Sequence, residues 1–224
     1  MLNNIEKELK KSGLVILDAH VHPLDILLTA RHLHKNFQVK INMAIVGYAF
    51  HIPIMKQVVN WFGRTYKINF LPVYRKEELA PKDLALKFFC SFYPKEIDLN
   101  TRRQANQKFI ETAMTLCQKP GEVVIIAPYG STVLFGQRVK NGVKKILLRN
   151  SLYLTSITRW NFPKMKFKTH LGQISSFKPN FNWDKIEAKI RQDFAYLPLP
   201  LWLQILKSRI FRPKAWLKVS NSSR

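Results

Sequence analysis

The sequence predicts an α/β domain, a mixed central sheet flanked by helices, and three observations carry that expectation. Short apolar runs at 14–17, 39–46, 68–74 and 122–127 have the length of buried strands. Between them lie stretches whose apolar residues recur at helical spacing, as at 25–34 and 100–119. The two signals alternate along the chain, and alternation builds a sheet covered by helices, with active residues at strand ends. Hydrophobic residues make up 46% of the 224 and aromatics 12%, enough for one sizeable core and too much for a disordered chain. A single domain is the expected organisation.

Each element has its own signal. Residues 3–11 read as a short polar helix ended by Gly13, and 14–17 as a buried strand. From Asp25 to His34, Ile26, Leu27, Ala30 and Leu33 fall on one helical face, which sets Asp25 near a helix N-terminus, where the dipole favours a carboxylate. The same aspartate also reads as a simple cap. A second strand follows at 39–46, then a helix at 51–61 with Ile54, Val58 and Trp61 on one face and Gly63 as its stop. The strand at 68–74 delivers Arg75 at its far end, where ligands bind in α/β sheets and where an arginine also simply faces solvent. Residues 80–99 are the least regular, with Pro81, Pro94 and Phe88, Phe89, Phe92 and Tyr93, and read as an insertion or lid, or as a satellite cluster under a loop. A helix at 100–119 has Thr101 as its expected cap and Pro120-Gly121 as its stop. The strand at 122–127 is rich in β-branched residues and runs into the turn Pro128-Tyr129-Gly130-Ser131-Thr132. A helix at 142–149, a strand at 153–158, a strand pair at 165–169 and 173–177, and an amphipathic helix at 184–194 complete the domain, bounded at 1–197. The remainder, 198–224, is basic, carries Trp202 and Trp216, and has the make-up of a membrane-interface anchor or of a helix packed on the core with a solvated basic face.

The formal charge is +23, from 37 basic and 14 acidic side chains. A field of that size recruits polyanions: nucleic acid, an anionic bilayer, or acidic carriers and phosphorylated substrates. Cys90 and Cys117 have neither zinc-site spacing nor the density of a disulfide framework, so a reducing compartment is the default. The first residues carry charge with no apolar stretch of a secretory signal behind them, and the longest apolar runs, 43–55 and 196–206, are too short and proline-broken to span a bilayer. A cytoplasmic protein, peripheral to membranes if it meets them, is expected.

The chemistry concentrates at 17–25, LDAHVHPLD. His20 and Asp25, four residues apart in between, form an acid–base pair if the carboxylate at the head of the helix holds the imidazole in one tautomer. Asp18, His20 and His22 form a second pattern, since alternation along a strand puts both histidines on one face, as in a shared metal site.

The order of the pieces resembles the glycerophospholipid acyltransferase superfamily, of the lysophosphatidate acyltransferase type, across roughly 14–197. The first family motif, a His and an Asp separated by four residues ahead of an apolar helix, matches AHVHPLDILL. The second, a strand ending in arginine, matches INFLPVYR, with Asn69 in place of the family's glycine. The third, usually Phe-Pro-Glu-Gly-Thr-Arg, aligns with APYGST, which keeps Pro128 and Gly130 and carries Tyr129 for the glutamate and Thr132 for the arginine. The fourth aligns with LYLTSI, with Ser156 for proline, and KNGVKK resembles the segment before the next helix.

The resemblance implies a glycerolipid acyltransferase-like fold. His20 would be the general base, Asp25 its orienter and Arg75 a phosphate contact, with Gly130 and Ser131 in the acceptor pocket. No cofactor or metal is implied; the co-substrate would be acyl-CoA or acyl carrier protein, the acceptor a glycerophosphate or lysophospholipid hydroxyl, the setting phospholipid biosynthesis at an anionic membrane surface. Loss of the third motif's glutamate and arginine bears on the acceptor, not on the His20–Asp25 pair.

Two rival classes stand beside this one. A metal-dependent hydrolase would use Asp18, His20 and His22, and would need further ligands where the chain offers only His51 and His170 beyond the first helix. A non-enzymatic basic protein would bind membrane or nucleic acid by charge alone; no recognition helix or aromatic RNA-binding signature is present, so no nucleic-acid partner is expected.

Overall fold

The run Leu14–Asp18 (β1) is apolar until its last position, and all five residues are buried. A strand covered on both faces belongs inside a sheet. It lies between β4 (Glu122–Ile126) and β5 (Leu152–Asn161), parallel to both. The computed structural model describes residues 2–19, 25–74, 87–88, 91–93, 98–129, 138–149, 152–161, 166–177 and 182–195. With β2 (Lys40–Val46), β3 (Ile68–Val73) and β6 (Lys166–Leu171), these form one six-stranded sheet in the order β3-β2-β4-β1-β5-β6. β6 runs antiparallel to β5 and every other pairing is parallel, so the sheet is mixed, in a single α/β domain.

Alternation along β1 divides the core into two layers. Leu14 and Ile16 pack with Ile5 and Leu9 of α1 (Leu2–Leu9) and with Ile26, Ala30 and Leu33 of α2 (Asp25–Asn36). Phe62 and Tyr66 of α3 (Pro53–Tyr66) join that layer. Val15 and Leu17 face the other way, toward α4 (Leu99–Leu116), α5 (Asn141–Leu147) and α6 (Trp183–Ala195), through Phe109, Ala113, Val143, Ile146, Ile186 and Ile190.

This layering fixes where the sheet opens. From β1 the chain crosses through α2 on one face to reach β2; from β4 it crosses through α5 on the other face, in the opposite direction, to reach β5. Two crossovers of one hand require that arrangement. The neighbouring carboxyl ends of β1 and β4 therefore lead to helices on opposite faces, and the crevice between two such ends is where α/β sheets bind ligands.

Several local expectations are corrected. Gly63 does not stop α3: the helix continues to Tyr66 and ends at Lys67, which adopts the left-handed conformation at φ 51°. Gly63 is a packing residue, since a Cβ there would sit 3.3 Å from the Ile68 carbonyl and the Phe70 ring. The face of Ile54, Val58 and Trp61 looks to solvent, with exposures of 75, 38 and 56%, while Val59 on the adjoining face is buried. The cap of α4 is Asp98, whose carboxylate accepts from the Thr101 amide at 2.7 Å, rather than Thr101 itself. β6 pairs with β5 and not with 173–177; the outer edge of β5 is thereby covered, and Gly172 and Ser175 continue the cover by bonding Thr155 and Tyr153.

Candidate functional site

Asp18 closes β1 with its carboxylate turned to the α2 face, 1% exposed. Its Oδ2 accepts from the Thr29 hydroxyl at 2.6 Å and from the Ser156 hydroxyl at 2.8 Å. Ser156 is there because the β1–β5 register sets it opposite Asp18, and Thr29 because it lies one helical turn beyond Asp25 on the same face of α2. The Thr29 oxygen is also 3.2 Å from that of Thr158, which is 2.8 Å from that of Thr169. Each hydroxyl has one proton. Thr29 spends its own on Asp18, so it accepts from Thr158, which accepts from Thr169. The buried chain runs in one direction across β6, β5 and α2 and ends on the carboxylate.

Asp25 is the first residue of α2 and is 3% exposed, an aspartate at a helix N-terminus inside the protein rather than a surface cap. Across the crevice, β4 ends at Ile126 and turns at Pro128 and Tyr129; the Pro128 carbonyl accepts from the Lys140 amide. Tyr129 is 4% exposed in the core of the α6 face, its ring 6.2 Å from that of Phe194. Burial pushes its phenol up to about 12, with Arg191 opposing and Glu187 adding to the shift. Its place is structural: it packs α6 against the end of β4.

The end of β3 is held by a clamp that the sequence did not announce. Asn106 of α4 accepts from the Tyr74 amide at 2.8 Å and donates to the Tyr74 carbonyl at 2.7 Å, which fixes the backbone immediately before Arg75. The Tyr74 ring lies over Gly47, where a Cβ would meet it at 2.2 Å. Tyr93 packs on Tyr74 and His51 and takes the Arg102 guanidinium over its face at 4.5 Å, so this residue of the irregular 80–99 stretch packs against the ends of β2 and β3. Burial, and then Lys56, push the His51 imidazole below its ordinary value.

Asn69 donates to Asn42, and Asn42 donates to Glu122, a polar ladder across β3, β2 and β4.

Of the residues singled out from sequence, Asp18 and Asp25 are described and lie at the carboxyl end of β1 and the head of α2. His20, His22, Arg75, Gly130 and Ser131 lie outside the described residues, as does 198–224. Among the described residues no group of three or more His, Cys, Asp or Glu is arranged to hold a metal ion, and no helix is long and apolar enough to cross a membrane. Neither a protein-family model nor a curated protein matches the chain.

Proposed function

We propose that the chain is a peripheral membrane acyltransferase, moving a fatty acyl group from an acyl thioester to a hydroxyl of a glycerophosphate or lysophospholipid-type acceptor. The observation that carries this reading is the position of Asp25. Thr29 meets Asp18 at the end of β1, and Asp25 lies one turn earlier in α2, about 6 Å further toward the carboxyl end of the sheet at 1.5 Å per helical residue. A carboxylate buried there, at the head of the helix that follows β1, is what an imidazole–carboxylate pair between His20 and Asp25 requires of Asp25.

The crevice between β1 and β4 supplies the rest. His20 takes the proton of the acceptor hydroxyl as its oxygen attacks the thioester carbonyl. The tetrahedral oxyanion collapses, the carbon–sulfur bond breaks, and the thiolate leaves with the proton returned by the imidazolium; ester and free thiol result. Asp25 holds the ring in the tautomer that can accept. Gly130 and Ser131, in the segment that follows β4, contribute to the acceptor pocket. Arg75, the residue after Tyr74 at the end of β3, binds the phosphate of the acceptor. The +23 charge steers coenzyme A, carrier protein, phosphorylated acceptor and anionic bilayer alike.

The test is transfer from a labelled acyl thioester to a panel of lysolipids and glycerol phosphates in the presence of chelator. Wild type transfers, His20→Ala abolishes turnover with the fold intact, and Asp25→Asn lowers it by orders of magnitude. Wild-type rates in both variants refute the mechanism. Activity lost to chelator and restored by metal turns the assignment toward a hydrolase built on Asp18, His20 and His22.

A further inference from the structure

α3 carries two apolar faces and the sheet uses only one of them. Val59, Phe62 and Tyr66 turn inward, while Ile54, Val58 and Trp61, spaced one and two turns apart, stand in solvent. An exposed isoleucine and tryptophan aligned on one helical stripe form a patch that a monomer in water does not need. The charge around it is one-sided. No Asp or Glu occurs between Asp25 and Glu77, so beyond its buried first residue α2, and β2 and α3 after it, add only cations. Arg31 and Lys35 on α2 and Lys56 and Arg64 on α3 are exposed. An apolar stripe bearing an indole, flanked by exposed cations, is what an amphipathic helix lying in an anionic headgroup layer presents.

We propose that α3 is the membrane-docking surface and that its occupant is an anionic bilayer. A second copy would bring the same cations face to face, at a cost in repulsion. Ala195 closes α6, which lies in the layer on the opposite side of the sheet from α3. The N-terminal turn of α3 follows the carboxyl end of β2, at the edge of the sheet where the crevice opens. A bilayer seated there would present lipid beside the candidate site. This rests on the reading above for the choice of membrane as partner, not for the surface, and it is tested without turnover.

The full chain is mixed with vesicles of phosphatidylcholine alone or of phosphatidylcholine with phosphatidylglycerol, and partition is measured by flotation. Ile54→Ser with Val58→Ser and Trp61→Ser, and separately Lys56→Glu with Arg64→Glu, are expected to lower partition onto the anionic vesicles by about tenfold or more. Binding to pure phosphatidylcholine is expected to be weak throughout. Because the 198–224 segment can also hold the protein on lipid, a nitroxide reads α3 directly, placed by Val58→Cys in a Cys90→Ser background where Cys117 is buried. On anionic vesicles that label gains oxygen contact and loses contact with an aqueous nickel chelate, whereas one at Asn60→Cys stays aqueous. A label at 58 that remains aqueous on bound vesicles overturns the proposal. So does one immobilised without lipid, whether by a second copy at rising concentration or by the chain's own C-terminal segment. Docking intact with acyl transfer absent would refute the chemistry and leave the surface standing.

Discussion

Deleting the Thr29 hydroxyl tests the buried chain that ties α2 to the sheet. Thr29→Val keeps the β-branched shape and removes the donor 2.6 Å from Asp18 Oδ2, a length at which O–H···O⁻ bonds are charge-assisted. A hydrogen bond to a charged group contributes about 1.5–3 kcal/mol, and the cost falls at the upper end where the acceptor is buried; Asp18 is 1% exposed. Thr158 loses its acceptor too, but its bond with Thr169, 2.8 Å away, can reverse, which moves the displaced proton to Thr169, a half-buried residue, so that contribution is small. Ser156→Ala removes the second donor at similar cost. Because both donate to one oxygen, the double variant should lose more than the sum of the two, by about 0.5–3 kcal/mol of coupling. Urea unfolding at neutral pH, followed by circular dichroism, reads this as midpoint shifts at constant slope. Single losses below about 0.5 kcal/mol, the range of ordinary surface changes, or strict additivity between the two, would refute the network as the tie. Thr29→Val should also lower acyl transfer, since Asp25 stands one turn along the same helix.

Three further outcomes follow from the geometry. Gly47→Ala should cost about 1–3 kcal/mol, because the added methyl must displace the Tyr74 ring that it would meet at 2.2 Å; thermal unfolding checks it. Tyr129 has its phenol raised from 10 to about 12 by burial, so the unfolded chain ionises first, and the stability it contributes is whole below pH ~10 and is lost as pH rises through 12. Over that window the loss is about 2 kcal/mol. Tyr129→Phe should flatten the alkaline slope of the urea midpoint without abolishing it, because burial raises the Tyr153 phenol as well. Asn106→Ala removes both bonds to the Tyr74 backbone, at about 1–2 kcal/mol, and should raise KM for a phosphate-bearing acceptor more than it lowers kcat, because Arg75 is the next residue.

What could be read in the sequence depended on how local its cause is. β1 and α2 were legible because an apolar run and a 3.6-residue stripe are properties of neighbours in the chain. The usable face of α3 was not: Met55, Val59, Phe62 and Tyr66 recur at helical spacing as well as Ile54, Val58 and Trp61 do, and only the position of the sheet selects between them. The pairing of β6 with β5 likewise depends on which strand edge is left open by β1. The His20–Asp25 pattern was visible from spacing, and the structure adds Asp25 buried at the head of α2. Asp18, Thr29 and Ser156 are separated by 11 and 138 residues, and no local pattern joins them. A signal was nonetheless present. Each is a polar residue on the buried phase of an apolar element, and such residues must find one another.

That network also bears on the two readings of LDAHVHPLD. A metal ligand offers lone pairs to the ion from an oxygen that its surroundings orient toward the site. Asp18 gives Oδ2 to two hydroxyls from α2 and β5, inside the layer beneath the crevice, so half of the carboxylate is taken up in joining the helix to the sheet. The join sets the height of α2 on the sheet, and with it that of Asp25, one helical turn before Thr29. Asp18 is thus the residue that holds the helix in step with the strand, and the two aspartates of the stretch have different places: one inside the layer, tied to hydroxyls, the other buried at the helix head.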